Sequence, residues 1–550
     1  LGNPLPEATE TPTESPTQSA TESPTQSPTE SPSQSPMASA TFDPTSLFIN
    51  KNYTTSLPTD PCVSNNQIQI NSNTNIRQIS GCTFTDIHIT NRNYYMQATQ
   101  PILFYDNIFQ NTIYEETERA GIMWANFNGA ITIRNCKFIQ LVTKGNDAHI
   151  FNSNYNNRIE YTFDNCEFID CGKNNHKALI NALNNEASIN FVDCKFIFND
   201  ITKSCRVIDL KSYSATFERC YFTQCGENSI YLGYPDTGTA ESTYGTFTFK
   251  NNNVNKCNKG LFIRADKLRS QPIIEGNTFE DITLSNSHMI SIIHDQNEII
   301  FTNNTFSHIT SGGNENIESG GVGISVISTN SIYTIKFNQC HFTSNMNNHE
   351  TSPNNHGGCI QYGFSSNFSA NIEMTECEFI GNTVKGGHGG AIAIRSINSV
   401  SINRCIFDTN TANHEGQTDG SKGFGGAIYI SASPSSSDTI NECIKSITIS
   451  GCTIRNNKGY QGYGIYIEGD QKCQSSILIN GQNIFDNNQG TVTHPIQGSV
   501  IASEVININK LDVEESNEYN NLGTTNKFIF VDVLGNPLPE ATETPTESPT

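Results

Sequence analysis

Charge is scarce in this chain, and basic charge is scarcest. Charged residues make up 16% of its 550 residues, with 32 Lys and Arg against 54 Asp and Glu and a net charge of −22. No Lys or Arg occurs before Lys51. A chain with a pI near 4.9 carries no electrostatic footprint for nucleic acid or for an anionic membrane. Long apolar runs are missing too: no stretch approaches the roughly 18 uninterrupted apolar residues of a membrane span. The hydrophobic share is 35%, and the balance is filled by Asn, Ser, Thr and Gly. That composition argues against helical bundles and suits short strands joined by polar turns. The 17 cysteines include no CxxC pair, so no structural zinc is expected. No other metal or cofactor is expected either.

The chain begins at Leu1 without a signal peptide, which reads as a piece of a longer protein. Residues Leu1–Thr17, LGNPLPEATETPTESPT, recur letter for letter at Leu534–Thr550. The simplest reading is one period of a tandem array, with 534–550 opening the next linker. Residues 1–40 hold a Ser/Thr/Pro/Glu tract that cannot bury apolar surface and resembles a mucin-like stalk. Its candidate O-glycosylation positions are Thr9, Thr11, Thr13, Ser15, Thr17, Ser19, Thr21 and Ser23. Asn52, Asn303 and Asn367 open N-x-S/T sequons.

Residues 41–533 are organised by one recurring phrase. It reads IRNCKF at Cys136, TFDNCEF at Cys166, FVDCKF at Cys194 and TFERCYF at Cys220. It returns as KFNQCHF at Cys340, MTECEF at Cys377, SINRCIF at Cys405 and ITISGCTI at Cys452, while Asn takes the cysteine place at Asn277 and Asn304. Apolar and polar letters alternate with period two, which is strand periodicity, and no segment between the copies has the length of a crossover helix. Coils spaced about 26 to 37 residues apart indicate a solenoid. The expected fold is all-β: a right-handed parallel β-helix of about twelve coils, on the order of 60 Å long.

Two further fixed points recur. Three residues after the Phe stands Asn, as at Asn199, Asn345, Asn382, Asn410 and Asn488, or Cys, as at Cys171 and Cys225. Stacked on their equivalents in neighbouring coils, these asparagines are expected to form a ladder of amides. The other fixed point is HGGCI at His356, HGGAI at His388 and FGGAI at Phe424. A position that accepts His or Phe is expected to stack planar rings. Cys136, Cys166, Cys194, Cys220, Cys340, Cys377 and Cys405 fall in one inward column, where buried thiols and partial inter-coil disulfides are both open readings.

The pairing of GGAI with FxxN resembles the repeat of the chlamydial polymorphic membrane proteins, whose relatives occur in surface proteins of parasitic protists. The resemblance spans about Gly312–Asn488 and is partial over Cys82–Phe306, where GGAI is missing. It implies a surface-exposed β-helix used in adhesion or coating, without a catalytic centre. No autotransporter barrel is present in this sequence, so the bacterial secretion route is not implied.

β-Helices also host polysaccharide lyases and hydrolases, and Gly387-His388-Gly389 matches a short element of polygalacturonases. That chemistry needs aspartates on neighbouring coils, yet no Asp lies between Asp295 and Asp408. The favoured expectation is a non-enzymatic extracellular protein at the cell surface, a coat or filament subunit built from tandem rods. Its expected partners are other copies of itself, head to tail, and host or self glycans or surface receptors. The alternative is a carbohydrate-binding or polysaccharide-cleaving β-helix protein.

Overall fold

The computed structural model describes most of residues 76–490, with gaps at loops such as 172–177, 234–244, 414–422 and 432–443. Outside that run it describes the strands at 47–49, 52–54, 63–64, 67–70, 501–503, 508–513, 518–520 and 528–530. The Ser/Thr/Pro tract with its eight Thr and Ser candidates, and the sequon at Asn367, lie outside the described residues.

One coil shows how the sequence makes the fold. Ile290–His294 is followed by Glu298–Thr302, then Thr305–Ser307, then Thr310–Ser311. Between the second and third strands sits Asn303 with φ of 51°, and between the third and fourth sits His308 with φ of 52°. A single left-handed residue bends an L-amino-acid chain sharply without breaking its extended run on either side. The same device recurs at Asn135 and Gln140, at Asn165 and Asp170, and at Glu376 and Gly381. Asn, Asp and Gly tolerate that backbone best; Arg219, Gln339 and Arg404 adopt it at a cost of about 1 to 2 kcal/mol each.

Stacked coils pair every strand with its counterparts above and below. Two sheets of 16 strands run the length of the stack, from Leu47–Ile49 to Ile508–Val513 and from Asn52–Thr54 to Glu518–Asn520. The third side is an 11-stranded sheet ending at Ile324–Ser328, and then a separate 6-stranded sheet beginning at Ile360–Tyr362. Shorter sheets of 3 and 7 strands follow the second corner. Pairing is parallel and in register, as in Phe301↔Phe337 and Phe342↔Phe379. Among the described residues the exceptions are the antiparallel pair Val63–Ser64 with Gln67–Ile70 and register shifts between Ala265 and Leu268 and between Ser475 and Ser476. There is no helix among the described residues. The protein is a parallel β-helix.

With 16 strands per long sheet, the stack has more coils than the roughly twelve expected, and at about 4.8 Å per coil it rises about 70 Å. The uncounted coils are explicable. One is centred on Asn107 and written DNIF, where Asn and a flanking Ile disguise the motif between Cys82 and Cys136. Others are the first and last coils, at Leu47–Thr54 and Ile508–Asn520, where Tyr53 and Tyr519 stand in register with the Phe of the phrase.

The core is one continuous column of apolar side chains. Its spine is a pile of phenylalanines, with Phe138 on Phe168 at 4.8 Å, Phe168 on Phe196 at 5.0 Å and Phe379 on Phe407 at 4.7 Å between ring centres. Each stacked pair adds about 0.5 to 1.5 kcal/mol beyond simple burial. No coil could keep this surface dry alone, so each is stable only against its neighbours.

Candidate functional site

The residues singled out by the repeat meet along three lines that run up the helix. The first lies just inside the first corner. Cys136, Cys166, Cys194 and Cys220 occupy it on consecutive coils, then Asn252, Asn277 and Asn304, then Cys340, Cys377, Cys405 and Cys452. Asn107 precedes this series and Asn483 follows it, and all are buried. Cys and Asn do the same work here. The Asn277 amide donates to Phe249 O at 2.7 Å and that of Asn304 to Ile274 O at 2.9 Å, each reaching back to the previous coil. The Cys166 thiol donates to Ile133 O at 3.4 Å and that of Cys377 to Phe337 O at 3.2 Å, in the same direction. On the acceptor side, Asn277 N donates to Asn304 Oδ1 at 3.1 Å. A thiol is a weak donor and weak acceptor of smaller volume, so it fills the rung with less bonding and more apolar contact.

Burial pushes the thiols of Cys136, Cys194 and Cys340 up, and that of Cys171, in the second column, to about 12. A hydrogen bond from the Cys340 thiol draws Cys377 down. The core around the column is apolar.

The second line follows the second corner. Asn345, Asn382, Asn410, Asn457 and Asn488 are buried and joined in sequence. Asn345 Nδ2 donates to Asn382 Oδ1 at 3.0 Å, Asn382 Nδ2 to Asn410 Oδ1 at 2.9 Å, and Asn410 Nδ2 to Asn457 Oδ1 at 3.0 Å. Asn457 escapes the FxxN pattern because Ile454 stands where Phe is usual; the signal was the RNN corner that ends three residues on. Toward the N-terminus the column turns apolar at Ile309, Ile282, Cys257 and Cys225. Asn199 is a correction. It is exposed and donates to Asp170 Oδ2 at 2.6 Å instead of joining the ladder. In that coil the corner residue is Phe198, without a left-handed backbone, so Phe198 takes the inward place and the bend falls on Asn199.

The third line is the glycine turn. Gly357, Gly389 and Gly425 have φ of 66°, 69° and 66°. The glycine after each faces the next coil's backbone: a Cβ on Gly358 would lie 1.9 Å from Gly390 O, and one on Gly390 2.0 Å from Gly426 O. The next residue, Cys359, Ala391 or Ala427, enters the core with no exposed surface. GG-small-Ile is therefore the sequence of a turn whose coils touch backbone to backbone.

The ring before each glycine pair lies outside the helix, against the sheet's outer face. His356 stacks on His388 at 4.8 Å and 11°, and His388 on Phe424 at 4.8 Å and 13°. Tyr429 stacks on His388 at 4.5 Å, and Tyr466 on Phe424 at 4.6 Å. Each imidazole also accepts a hydrogen bond from a backbone N–H: His388 N donates to His356 Nδ1 at 3.3 Å and Phe424 N to His388 Nδ1 at 3.2 Å. Tyr429 donates its hydroxyl hydrogen to Glu468, a carboxylate that sequence reasoning passed over. Its contact with His388 is through ring faces, which transfer no proton.

Elsewhere the carboxylates are dispersed on the outer surface. Glu376 accepts from Arg404 Nη2 at 2.9 Å, Glu378 contacts His341 Nδ1 at 3.0 Å, and Glu167 sits between Lys137 and Lys195 at 3.0 Å each. Glu280, Asp281 and His308 present ligand atoms within 4.8 Å of one another, which the sequence did not reveal because they come from successive coils. They lie on the open surface, and Lys256 holds the same corner one coil earlier. Asn303 occupies an exposed corner with Asn304 and Thr305 following, open for its sequon; Asn52 lies in the strand Asn52–Thr54. Comparison with family models, curated proteins and solved structures finds no match for this chain.

Proposed function

We propose that this protein is a non-enzymatic structural or adhesive component of a cell surface, in which tandem β-helical rods are separated by glycosylated Ser/Thr/Pro spacers. The observation that carries this reading is where the repeat's polar residues go. His356, His388, the buried asparagines and the column cysteines spend their bonding capacity on the adjacent coil. The letter-for-letter recurrence of 1–17 at 534–550 supports a chain of such rods. The likeness of GGAI and FxxN to the polymorphic membrane protein repeat supports the surface location. Among the described strands, Leu47–Ile49 and Asn52–Thr54 begin the two long sheets and Ile508–Val513 and Glu518–Asn520 end them, and strand pairing at such edges favours end-to-end association of rods.

The full chain, incubated with pectic and other acidic polysaccharides, is expected to release no reducing sugar and no unsaturated product. At rising concentration it is expected to form end-to-end oligomers in sedimentation. Turnover of a polysaccharide would overturn the reading in favour of a hydrolase or lyase.

A further inference from the structure

In the first column, inward thiols form two uninterrupted runs of four, each on consecutive coils; the second column adds the neighbouring pair Cys225 and Cys257. The first run is Cys136, Cys166, Cys194 and Cys220; the second run is Cys340, Cys377, Cys405 and Cys452. Backbone bonds fix their register. Glu167 N donates to Cys136 O at 2.9 Å, Lys195 N to Cys166 O at 2.8 Å and Tyr221 N to Cys194 O at 2.9 Å. Glu378 N, Ile406 N and Thr453 N repeat the pattern on Cys340, Cys377 and Cys405, each at 2.9 Å. Each cysteine therefore lies directly above the next. Neighbouring parallel strands bring such Cα atoms to about 4.8 Å, inside the roughly 4.4–6.8 Å range that a disulfide spans. All eight side chains point into the core, so their Cβ vectors run side by side. They also stand just after a left-handed corner residue and not within a strand, so the backbone there can supply the small closure a bridge requires.

We propose that each run is a paired-thiol redox site that closes into two disulfides between successive coils, Cys136–Cys166 with Cys194–Cys220 and Cys340–Cys377 with Cys405–Cys452. Pairing from the ends uses every thiol of a run; a central bridge, Cys166–Cys194 or Cys377–Cys405, would strand the two outer ones. Forming each bridge removes two protons and two electrons from a pair of thiols. An organic disulfide of the glutathione type takes them up, its own S–S bond breaking to give two thiols through a mixed-disulfide intermediate. The sulfurs are buried, so exchange takes place as the coils dock or when a corner opens locally. Asn252, Asn277 and Asn304 separate the runs with rungs that cannot be oxidised. Cys359 provides an internal control, because its neighbours in register are Val322 and Ala391. The inference stands on register alone and is independent of the surface reading.

The test is disulfide mapping of the full chain produced through an oxidising secretory route. The protein is alkylated in denaturant without reductant, digested and analysed by mass spectrometry. The four named bridges are expected, with Cys359 recovered alkylated. In a Cys194→Ser variant, Cys220 is expected to become alkylatable while Cys136–Cys166 still forms. Recovery of the column cysteines as alkylated as Cys359 would overturn the proposal, as would cross-links that include Cys359 as often as its neighbours.

Discussion

Replacing Asn382 by Ile probes the amide ladder where its energetics can be worked out bond by bond. Asn382 is fully buried, and its side chain is saturated. Nδ2 donates to Phe342 O and to Asn410 Oδ1, both at 2.9 Å, while Oδ1 accepts from Asn345 N at 3.1 Å and Asn345 Nδ2 at 3.0 Å. Isoleucine fits the place by precedent, since Ile309 and Ile282 occupy it in earlier coils. The substitution removes both sides: Phe342 O and Asn410 Oδ1 each lose a donor, and the Asn345 N–H and one Asn345 amide hydrogen lose their acceptor in a dry interior. Each orphaned donor costs about 1 to 3 kcal/mol, and the added apolar contact offsets about 1 to 2 kcal/mol of the total. The expected net loss is about 2 to 4 kcal/mol, confined to adjacent coils because a solenoid couples nearest neighbours. Native-state hydrogen exchange should show faster exchange at the amides of Asn345 and its flanking corner than at those near Cys166. A loss below about 0.5 kcal/mol, set against that orphaning cost, would refute the reasoning; so would acceleration spread evenly along the helix.

Gly390→Ala should be far more damaging than Gly381→Ala. The first Cβ would lie 2.0 Å from Gly426 O, whereas the second meets nothing closer than 3.6 Å and carries only the strain of φ +65°, about 1 to 2 kcal/mol; thermal melts of the two variants measure the gap. His388→Phe keeps the ring contacts but leaves the Phe424 N–H without its Nδ1 acceptor, at a cost of about 1 to 3 kcal/mol, and His388→Ala should cost more because the ring contacts go as well, again read by melting. The Glu167 carboxyl is held below its ordinary value of 4.5 by Lys195 and Lys137. A depressed native value means its stabilisation is full above about pH 4.5 and fades as pH falls through the native value. The two lysines are half-exposed, so Glu167→Gln should cost less than about 1 kcal/mol at pH 7, and nothing once the pH is below both values, in a denaturation series against pH.

Period-two alternation and the Cys–x–Phe spacing made the parallel strands legible, because inward and outward faces are written directly into a strand. Corners were harder to read. The left-handed residue that makes each turn is Asn at 135, Arg at 219 and Glu at 376, so no single letter announces it. Where that residue is missing, at Phe198, the inward register shifts and Asn199 leaves the ladder. The change from the 11-stranded to the 6-stranded third side was legible only as the onset of GGAI. Its internal junction was not legible at all: Tyr333 and Tyr362, from separate coils, both donate to Val326 O. Such convergence of distant residues on one carbonyl leaves no periodic trace. The ring stack of His356, His388 and Phe424 could be read because its members share a column, whereas Tyr429 and Tyr466 approach it from the strand.

Imaging the native assembly by electron cryo-microscopy tests the central claim most directly, namely that the repeat builds a rod whose role is architectural. The account predicts rods about 70 Å long with a coil spacing of about 4.8 Å, joined in series as a periodic fibre or coat at a cell surface. Isolated globular molecules bound to a soluble substrate, with no serial connection between rods, would contradict it.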